Sequence, residues 1–376
     1  MMSKLRTKWG AAPWQRSFPF AVEDFASPVR HSTTPDVVIV GGGLTGASAA
    51  YHLARMGIRA VLFEAGLIGD GASGRTGGLV LEGTAAGILD QVDACVPGLQ
   101  RLVDEAEIDC DLVLTGCWEI EHRKRARMLP WSDTGQPVGI ARTVSGGTVQ
   151  PAALTIGIAR AAARLGAIIC ELSSVTRIIP GRELSMEVGG ARIRPGHIVV
   201  ATNAWINATL ADTPPLHSSL TFACATEPLD AAELAAIGLN EGVPFYTSDL
   251  PYLWGRTIRD GRVIFGAGLV FGRPTELEDT DVRGGSLGAV FDRLRDRVRA
   301  LHPALREARF EAEWAGPIAF AADSIPLLGP LPANPRVLVA GGYAGHGVAL
   351  SVRAGELLAL AIGKNLSLPA WGALSR

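Results

Sequence analysis

The chain has 376 residues, of which 48% are hydrophobic and 19% are charged, and its formal net charge is -2. A chain of this length exceeds one ordinary hydrophobic core and predicts two domains. The composition favours a globular enzyme over a disordered chain, and the near-neutral charge argues against nucleic acid or an anionic membrane surface as the main partner.

The hydropathy pattern and the cysteines indicate the cellular compartment in which the protein works. No apolar run reaches the roughly 18 residues of a membrane span, and no apolar region of a signal peptide follows the basic N-terminus. The cysteines form no Cys-x-x-Cys pair and the histidines add no zinc pattern, so we expect no metal site. An odd, scattered set of thiols is typical of a reduced protein, and we therefore expect a cytoplasmic one. The five cysteines are Cys95, Cys110, Cys117, Cys170 and Cys224.

Residues 1–29 form a segment in which aromatic residues stand among prolines without a clear period. We expect an irregular N-terminal arm that lies against the body of the protein. A partly disordered tail is the alternative, and the aromatic content argues against it. The aromatic residues are Trp9, Trp14, Phe18, Phe20 and Phe25.

The stretch "DVVIVGGGLTGASAAYHLARMGIRAVLFEAG" predicts a complete βαβ unit. Val37–Val40 is a buried strand, and apolar residues at helical spacing predict a helix over 44–56. Gly57 ends this helix, and residues 59–63 form the next strand. Two strands joined by a helix in this way begin a parallel sheet.

Three glycines in this stretch, Gly41, Gly43 and Gly46, form the pattern G-x-G-x-x-G. The first permits a tight turn, the second lets the backbone approach a pyrophosphate, and the third, with Ala50, lets the helix pack closely on the sheet. Glu64 ends the second strand, where a carboxylate can bind ribose hydroxyls and would repel the 2′-phosphate of NADP. A glycine turn without a nucleotide is the alternative, and the flanking strand, helix and acid argue against it.

The rest of the chain predicts strands and helices in an order typical of an α/β protein. Apolar residues at helical spacing between 287 and 301 indicate a packed helix face. In chain order, we expect a helix over 151–165, strands over 167–172 and 197–202, antiparallel strands over 252–254 and 262–265, a strand over 336–340, and a glycine loop that leads into a last helix.

Three later features favour FAD over NAD as the dinucleotide. A glycine-rich stretch, "IGDGASGRTGG" at 68–78, directly follows the ribose acid. "HIVVATNAW" ends a strand in small residues that can cross the adenine half of a cofactor, and "VLVAGGYAGHGV" places a second glycine loop before a helix. An elongated dinucleotide with an isoalloxazine ring needs contacts of this kind at both ends.

These motifs resemble those of the D-amino-acid-oxidase-like superfamily of FAD-dependent oxidoreductases, which includes glycine oxidase, sarcosine oxidase and γ-glutamylputrescine oxidase. The resemblance spans about residues 36–363 and adds "GGTVQPAAL" and "WAGPIAFAADSIPLLG" to the motifs above. "ASGRTGG" is most similar to the γ-glutamylputrescine oxidase branch. The resemblance implies an α/β flavoprotein, in which an FAD-binding Rossmann-like domain accompanies a second, α+β substrate domain with a mixed or antiparallel sheet.

The resemblance also divides the chain and implies cofactor contacts. We expect a discontinuous FAD-binding domain over 30–85, 146–215 and 315–376, and a substrate domain over 86–145 and 216–314. The residues that would line the pyrophosphate and flavin are Ser73, Gly74, Arg75, Thr76 and Gly77. Contacts to the adenine and ribose would come from Val175, through its backbone, and from Thr202 and Asn203. The pyrimidine side of the flavin would meet a helix N-terminus at Gly345, His346, Gly347 and Val348.

The reaction of the family removes a hydride from the carbon next to an amine, delivers it to flavin N5, and leaves an imine that hydrolyses. We therefore expect an FAD-dependent amine or amino-acid oxidase or dehydrogenase that uses oxygen or another electron acceptor. Sarcosine-oxidase-like members carry a cysteine before the C-terminal "D..P" segment and bind flavin through it. "WAGPIAFAADSIPLLG" has no cysteine, so the FAD is expected to be non-covalent.

Two further departures from the family concern the substrate and oxygen. Val348 and Ala349 stand where members that act on small amino acids often place a cation, and this favours a larger amine. Val270 stands where oxidases of this type often place a lysine that promotes reaction with oxygen. Oxygen activation would then use His346 or an arginine, or the electrons would pass to a quinone or a protein. The lysines of the chain are Lys4, Lys8, Lys124 and Lys364, away from these motifs.

The candidate catalytic residues are Tyr252, Trp254 and His346. Tyr252 and Trp254 are one strand period apart and would form an aromatic wall around an amine, although ordinary core aromatics fit the pattern equally. His346 can be a polar contact, a proton acceptor or simply a residue of its loop. Arg75 can pair with a phosphate, a substrate carboxylate or a surface acid.

Two other classes of protein remain open. An FAD-binding electron-transfer subunit of a multi-subunit dehydrogenase complex would pass electrons to partner proteins, and the missing lysine favours it. A non-catalytic descendant would keep the fold as a binding module, and the intact glycines and Glu64 argue against it.

Overall fold

A computed structural model describes residues 8–17, 25 and 34–375. Within these residues the α-helices are α1 (Pro13–Ser17), α2 (Leu44–Arg55), α3 (Cys95–Glu105), α4 (Pro151–Arg164), α5 (Ile206–Thr209), α6 (Ala231–Ala236), α7 (Pro274–Asp279), α8 (Gly285–Leu301) and α9 (Gly347–Lys364). Short 3₁₀ helices span Asn203–Trp205, Pro303–Leu305 and Ala370–Gly372.

The strands of the described residues form four sheets. In chain order they are β1 (Val37–Val40), β2 (Ala60–Phe63), β3 (Leu79–Leu81), β4 (Cys117–Glu121), β5 (Arg127–Asp133), β6 (Gln136–Val144), β7 (Gly146–Thr148), β8 (Ile168–Cys170), β9 (Val175–Ile179), β10 (Ser185–Val188), β11 (Ala191–Ile193), β12 (His197–Val200), β13 (His217–Thr226), β14 (Phe245–Thr247), β15 (Trp254–Thr257), β16 (Val263–Phe271), β17 (Phe310–Phe320), β18 (Leu327–Leu331) and β19 (Asn334–Gly341).

The first sheet is parallel except at one edge and has the order β18-β19-β12-β1-β2-β8. The strand β18 pairs antiparallel with β19, and the other pairs are parallel. Because side chains alternate along a strand, Val37 and Ile39 pack with the helices α2, α4 and α9, whereas Val38 and Val40 pack toward the small sheet β11-β10-β9. The predicted βαβ unit and the parallel sheet are confirmed.

Small residues allow the first helix to approach its neighbours. A Cβ atom on Gly46 would lie 2.0 Å from the carbonyl oxygen of Gly41, and one on Gly355 of α9 would lie 2.5 Å from that of Thr45. Ala47, Ala49 and Ala50 of α2 are fully buried. The close packing of α2 on β1 and α9 therefore depends on the absence of side chains at these glycines.

The second sheet has the order β17-β13-β16-β15-β14-β4-β6-β5. Its pairs are antiparallel except that β14 lies parallel to β4, so the sheet is mixed. Helix α8 packs on one face of it through Phe291, Leu294, Val298 and Leu301, which confirms the predicted packed helix. An α/β fold with a second, mixed sheet is as expected.

The other predicted elements are present, with ends that differ by one or two residues, apart from two in the second sheet. The strand expected over 262–265 continues to Phe271 as β16. The strand expected over 252–254 is wrong at its start, since β15 begins at Trp254. The carbonyl oxygens of Pro251 and Tyr252 accept hydrogen bonds from Arg297, at 2.7 Å and 2.8 Å, instead of pairing in the sheet.

Most of the described part of the N-terminal segment packs against the second sheet. Trp9 is fully buried and donates from Nε1 to the carbonyl oxygen of Leu277 at 2.8 Å. Trp14 donates from Nε1 to that of Gly74 at 2.8 Å. Phe25 is partly buried against the first core, and Phe18 and Phe20 lie outside the described residues. The boundaries of the arm and of the two domains stay predictions.

The next findings, on membrane-spanning helices, metal-binding groups and cysteines, hold for the described residues. No helix among them is long and apolar enough to cross a membrane. No group of three or more metal-binding side chains is found there. The five cysteines are buried and form no disulfide, and burial raises the pKa of Cys95, Cys110 and Cys117 to about 12. These thiols are therefore weak nucleophiles.

Candidate active site

One large cavity, of about 1620 Å³, opens at the carboxyl ends of β1, β2 and β12. The ends of parallel strands are where α/β sheets bind ligands. The cavity extends along the second sheet, where β4, β6, β14 and β15 contribute side chains to its wall. Its volume exceeds the roughly 300–1,000 Å³ of ordinary ligand pockets, as a cofactor together with a substrate would require.

The glycine loop after β1 lines the inner end of the cavity. Gly41 has a φ of +109°, and a Cβ atom on it would lie 2.7 Å from the carbonyl oxygen of Ala201. A Cβ atom on Gly43 would lie 2.8 Å from Ser73 Oγ, which accepts a hydrogen bond from the backbone N–H of Leu44 at 2.9 Å. Gly43 caps α2 without a side-chain hydrogen bond. The first turn of α2 therefore presents backbone N–H groups and the positive end of its dipole near the cavity.

The carboxylate of Glu64 is fixed beside this loop. It accepts hydrogen bonds from the backbone N–H groups of Gly42 and Gly66, both at 2.7 Å. Burial raises the pKa of the Glu64 carboxyl, and the two N–H donors oppose this effect. The side chain lines the cavity at the end of β2, where the sequence predicts a ribose contact.

The predicted cofactor loop at 68–78 connects the N-terminal segment to the cavity. Arg75 is 2% exposed and donates to the carbonyl oxygens of Asp70, from Nε at 3.1 Å, and of Gly10, from Nη1 at 2.7 Å. Trp314 donates from Nε1 to the carbonyl oxygen of Arg75 at 2.9 Å. Arg75 thus ties the N-terminal segment to the loop while it lines the cavity.

Trp254 joins the cofactor loop to the second sheet. A Cβ atom on Gly77 would lie 2.1 Å from Trp254 Cζ3, and one on Gly266 would lie 2.0 Å from Cζ2. The indole ring is therefore held between two glycines, and it also lines the cavity at 8% exposure. Tyr252 lines the same cavity from the loop before β15 and is 37% exposed. Trp254 is thus both a core aromatic and a wall residue.

The second glycine loop lies before α9. His346 is the N-cap residue of α9 and lines the cavity with Gly345, Gly347 and Val348. Burial lowers the pKa of the His346 imidazole, and a hydrogen bond with the backbone of Glu82 opposes this effect. The imidazole is therefore neutral at pH 7.

A hydroxyl pair connects the two glycine loops, and the sequence analysis did not find it. Tyr343 OH and Thr45 Oγ1 lie 2.7 Å apart, which joins the loop before α9 to the first turn of α2. Both residues line the cavity. They come from segments about 300 residues apart, so no local pattern links them.

The adenine-side candidates also line the cavity. Val175 begins β9, at the edge of the small sheet. Thr202 and Asn203 follow β12, and Asn203 Oδ1 accepts from the backbone N–H of Gly342 at 2.9 Å. Of the predicted site residues, Gly46 and Gly74 do not line the cavity, and a Cβ atom on Gly74 would lie 2.2 Å from the carbonyl oxygen of Gly69.

The outer wall carries polar residues that no motif indicated. Glu119, Arg142 and Tyr246 come from β4, β6 and β14, and Glu119 accepts hydrogen bonds from the other two. Their strands are adjacent in the second sheet, although the residues are far apart in the chain. The alternation of apolar and polar residues in "WEIE" is a sequence pattern that places Glu119 on one face of a strand.

The chain is similar to a family model and to several oxidoreductases. A family model described as "DAO: FAD dependent oxidoreductase" matches residues 36–361. Over 377 aligned residues the chain is 26% identical to gamma-glutamylputrescine oxidoreductase from Escherichia coli K12, with 88% of this chain and 84% of the relative covered. The crystal structure of glycine oxidase from Geobacillus kaustophilus superposes with a TM-score of 0.74 at 21% identity, covering 92% and 99%. The crystal structure of L-proline dehydrogenase from P. horikoshii superposes with a TM-score of 0.73 at 18% identity, and the match covers 90% of this chain and 95% of that chain.

The fold is that of an α/β protein whose large cavity opens at the carboxyl ends of parallel strands. The chain belongs to the DAO family of FAD-dependent oxidoreductases. It is therefore an FAD-dependent enzyme that acts on amines or amino acids, as an oxidase or a dehydrogenase.

The residues of the cavity fit FAD. The cradle at Gly41 and Gly43 has no room for side chains, the first turn of α2 supplies N–H donors, and Glu64 supplies a carboxylate acceptor. These are the groups that a pyrophosphate and a ribose require. Within the described residues, no cysteine and no lysine line the cavity.

Proposed function

We propose that this enzyme oxidises the C–N bond of an amine in this cavity, with non-covalent FAD as hydride acceptor. When bound, FAD would accept a hydride from the carbon next to nitrogen, and the resulting imine would hydrolyse in water. The observation that carries the proposal is the continuity of one cavity, from the N-terminus of α2 and Glu64 to the aromatic wall at Trp254 and Tyr252.

The residues of the chain would bind and orient the two reactants. Gly41, Gly43 and Glu64 would hold the pyrophosphate and ribose. Trp254 and Tyr252 would exclude water and pack against the alkyl part of the amine. His346, which is neutral at pH 7, would accept a hydrogen bond from the substrate amine or hold its proton.

The lining supports an amine longer than a simple α-amino acid. Ile318 lies beside the second glycine loop, where a Cβ atom on Gly345 would come within 3.7 Å of its Cδ1. The arginines of the lining are Arg75, which is bonded to backbone carbonyls, and Arg142, which is bonded to Glu119. A small amino acid near Ile318 would therefore lack a cation for its carboxylate.

Anaerobic reduction of the purified holoenzyme tests the proposal. A panel of diamines and polyamines, N-methyl amino acids, D-amino acids and glycine is added without oxygen, and the flavin absorbance is followed. We expect bleaching with at least one amine and little with glycine. Flavin that is bound and stays oxidised with the whole panel would contradict the proposal.

A second candidate differs in the electron acceptor. An FAD-binding dehydrogenase subunit that passes electrons to a quinone or a partner protein is favoured by the absence of lysine from the described cavity lining. Admission of air after anaerobic reduction distinguishes the two, because an oxidase would regain its colour quickly and release peroxide. A cytoplasmic location stays part of the proposal.

A further inference from the structure

Four strands of the second sheet place a row of side chains along the cavity wall. In the sheet register, Trp254 of β15 pairs with Tyr246 of β14, Tyr246 pairs with Glu119 of β4, and Glu119 pairs with Arg142 of β6. All four residues line the cavity. Because neighbouring strands are about 4.8 Å apart, Glu119 lies about 10 Å from Trp254 across the sheet.

Glu119 and Arg142 form an ion pair in which one carboxylate oxygen and one guanidinium nitrogen make no hydrogen bond to the described residues. Arg142 donates to Glu119 Oε2 from Nε at 3.0 Å and from Nη2 at 2.8 Å, and Tyr246 OH donates to the same oxygen at 3.0 Å. Among the described residues, Glu119 Oε1 accepts no hydrogen bond and Arg142 Nη1 donates none. The Glu119 side chain is 14% exposed and that of Arg142 is 67% exposed.

An ion pair of this exposure adds little to the stability of the fold. Its position in the wall of the cavity gives it another use. The pair is neutral as a whole, so a ligand group with a single positive charge would be attracted by Glu119 but repelled by Arg142. A group with a single negative charge would be attracted by Arg142 but repelled by Glu119. A ligand group with both charges would gain from both residues.

We propose that Glu119 and Arg142 form a distal subsite for a zwitterionic, α-amino-acid-like head group. The ammonium of the head group would donate to Glu119 Oε1, and its carboxylate would accept from Arg142 Nη1. Tyr246 would hold the other oxygen of Glu119 in place. This inference rests on the proposed function for its second half, namely that the substrate extends about 10 Å to an amine that is oxidised beside Trp254.

The subsite can be tested by binding alone. Calorimetry on the FAD-loaded enzyme would use 2-aminoalkanoates with an alkyl terminus, whose chain lengths bracket this span. The matched alkylamine and alkanoate, each with one charge, are the comparison. We expect the zwitterion to bind at least about tenfold more tightly than either, since a hydrogen bond to a charged group is lost in each.

Substitutions of Glu119 and Arg142 test whether these two residues cause the preference for the zwitterion. Glu119→Gln and Arg142→Gln should each remove most of the preference for the zwitterion. Glu183→Gln and Arg194→Gln are matched controls, because these residues form an exposed ion pair at 4.0 Å outside the cavity. Arg142→Lys keeps the charge and covers the case in which Arg142→Gln fails to fold.

Two outcomes would overturn the subsite: equal affinity for the three ligands, or a preference that survives both glutamine substitutions. A third measurement separates this inference from the proposed function. Diamino acids with a terminal amine are added anaerobically to the same enzyme. Flavin that stays oxidised, while the zwitterion preference persists in calorimetry, would contradict the proposed oxidation and support the subsite. If amines bleach the flavin but calorimetry shows no preference for the zwitterion, the proposed oxidation is supported and the subsite is contradicted.

Discussion

The indole ring of Trp254 lies against Gly77, so closely that a Cβ atom on Gly77 would come within 2.1 Å of its Cζ3. A Cβ atom on Gly266 would lie at a similar distance from the ring, so neither glycine position has room for a side chain. Gly77 belongs to the cofactor loop, and Trp254 belongs to the second sheet. This contact is where the proposed FAD site and the proposed substrate wall meet.

The substitution Gly77→Ala should weaken FAD binding. The added methyl group must displace either Trp254 or the loop, and overpacking of this kind costs about 1–3 kcal/mol. We expect the Kd for FAD, from fluorescence titration of the apoprotein, to rise about tenfold or more. Gly181→Ala is the control, because a Cβ atom there meets nothing within 4 Å. An unchanged Kd in a folded Gly77→Ala variant would contradict the assigned contact.

The substitution Glu64→Gln should also weaken FAD binding, for an electrostatic reason. Glutamine keeps the shape but offers one acceptor oxygen, whereas Glu64 accepts from two backbone N–H groups. The loss of hydrogen bonds to a charged group, about 1.5–3 kcal/mol each, predicts a Kd for FAD raised by at least about tenfold. Glu183→Gln is the matched control. Equal FAD affinity in the two variants would show that Glu64 does not serve the cofactor.

The N-terminal segment should contribute to FAD retention through Trp14. The indole N–H donates to the carbonyl oxygen of Gly74, and the ring contacts Trp314 edge-on at 5.8 Å. Trp14→Phe keeps most of the packing and should lower the unfolding free energy by about 1 kcal/mol, whereas Trp14→Ala should lower it by about 3–5 kcal/mol. Chemical denaturation with and without FAD checks this. If Trp371→Phe, which loses a bond to Asp90, lowers FAD affinity as much as Trp14→Phe, the effect is not specific to the cofactor loop.

The loop that carries Tyr252 should depend on Arg297. Arg297 donates to the carbonyl oxygens of Tyr252 and Pro251 and also binds Asp133, which is 1% exposed. Arg297→Lys keeps a charge beside Asp133 but loses the fork that reaches the loop. We expect the Kd of the amine that reduces the flavin to rise about three- to tenfold, with a smaller change for FAD. Arg299→Lys, on the same helix, is the control, and an equal effect in both would argue against this role.

Acid should destabilise the fold through His52. Burial lowers the pKa of His52 to about 4, from an ordinary value near 6.5. The unfolded chain therefore takes up the proton first as pH falls, so stability is lost between about pH 6.5 and pH 4. From pH 7 to pH 5, wild type should lose about 2 kcal/mol more than His52→Gln in urea unfolding. An identical pH dependence in the two proteins would contradict the shift, and His217→Gln at an exposed histidine is the control.

Local patterns explain why the first sheet could be predicted. The glycines at 41, 43 and 46 have conformational requirements that act within one turn, and the strand, helix and acid around them lie within 30 residues. The predicted bounds of β1, α2 and β2 differ from the structure by at most one residue. The FAD-contact candidates beyond this βαβ unit came from the family resemblance, and their proximity depends on the convergence of β1, β2, β12 and α9 on one cavity.

The outer wall could not be predicted, because its residues meet only through sheet register. Tyr246 and Glu119 are 127 positions apart, and they are neighbours because β14 pairs parallel with β4 in an otherwise antiparallel sheet. No spacing in the sequence specifies that pairing. The predicted strand is wrong at Tyr252 because a distant residue decides its hydrogen bonding. Arg297, which donates to the carbonyl oxygen of Tyr252, lies 45 positions away in the chain.

The most direct test of the account is a deuterium isotope effect on anaerobic flavin reduction. An amine that bleaches the bound FAD is compared with the same amine deuterated at the carbon next to nitrogen, at saturating concentration in a stopped-flow instrument. We expect the deuterated amine to reduce the flavin several-fold more slowly, because that C–H bond breaks as the flavin is reduced. Equal reduction rates for the two amines, or a holoenzyme whose flavin no amine reduces, would contradict it.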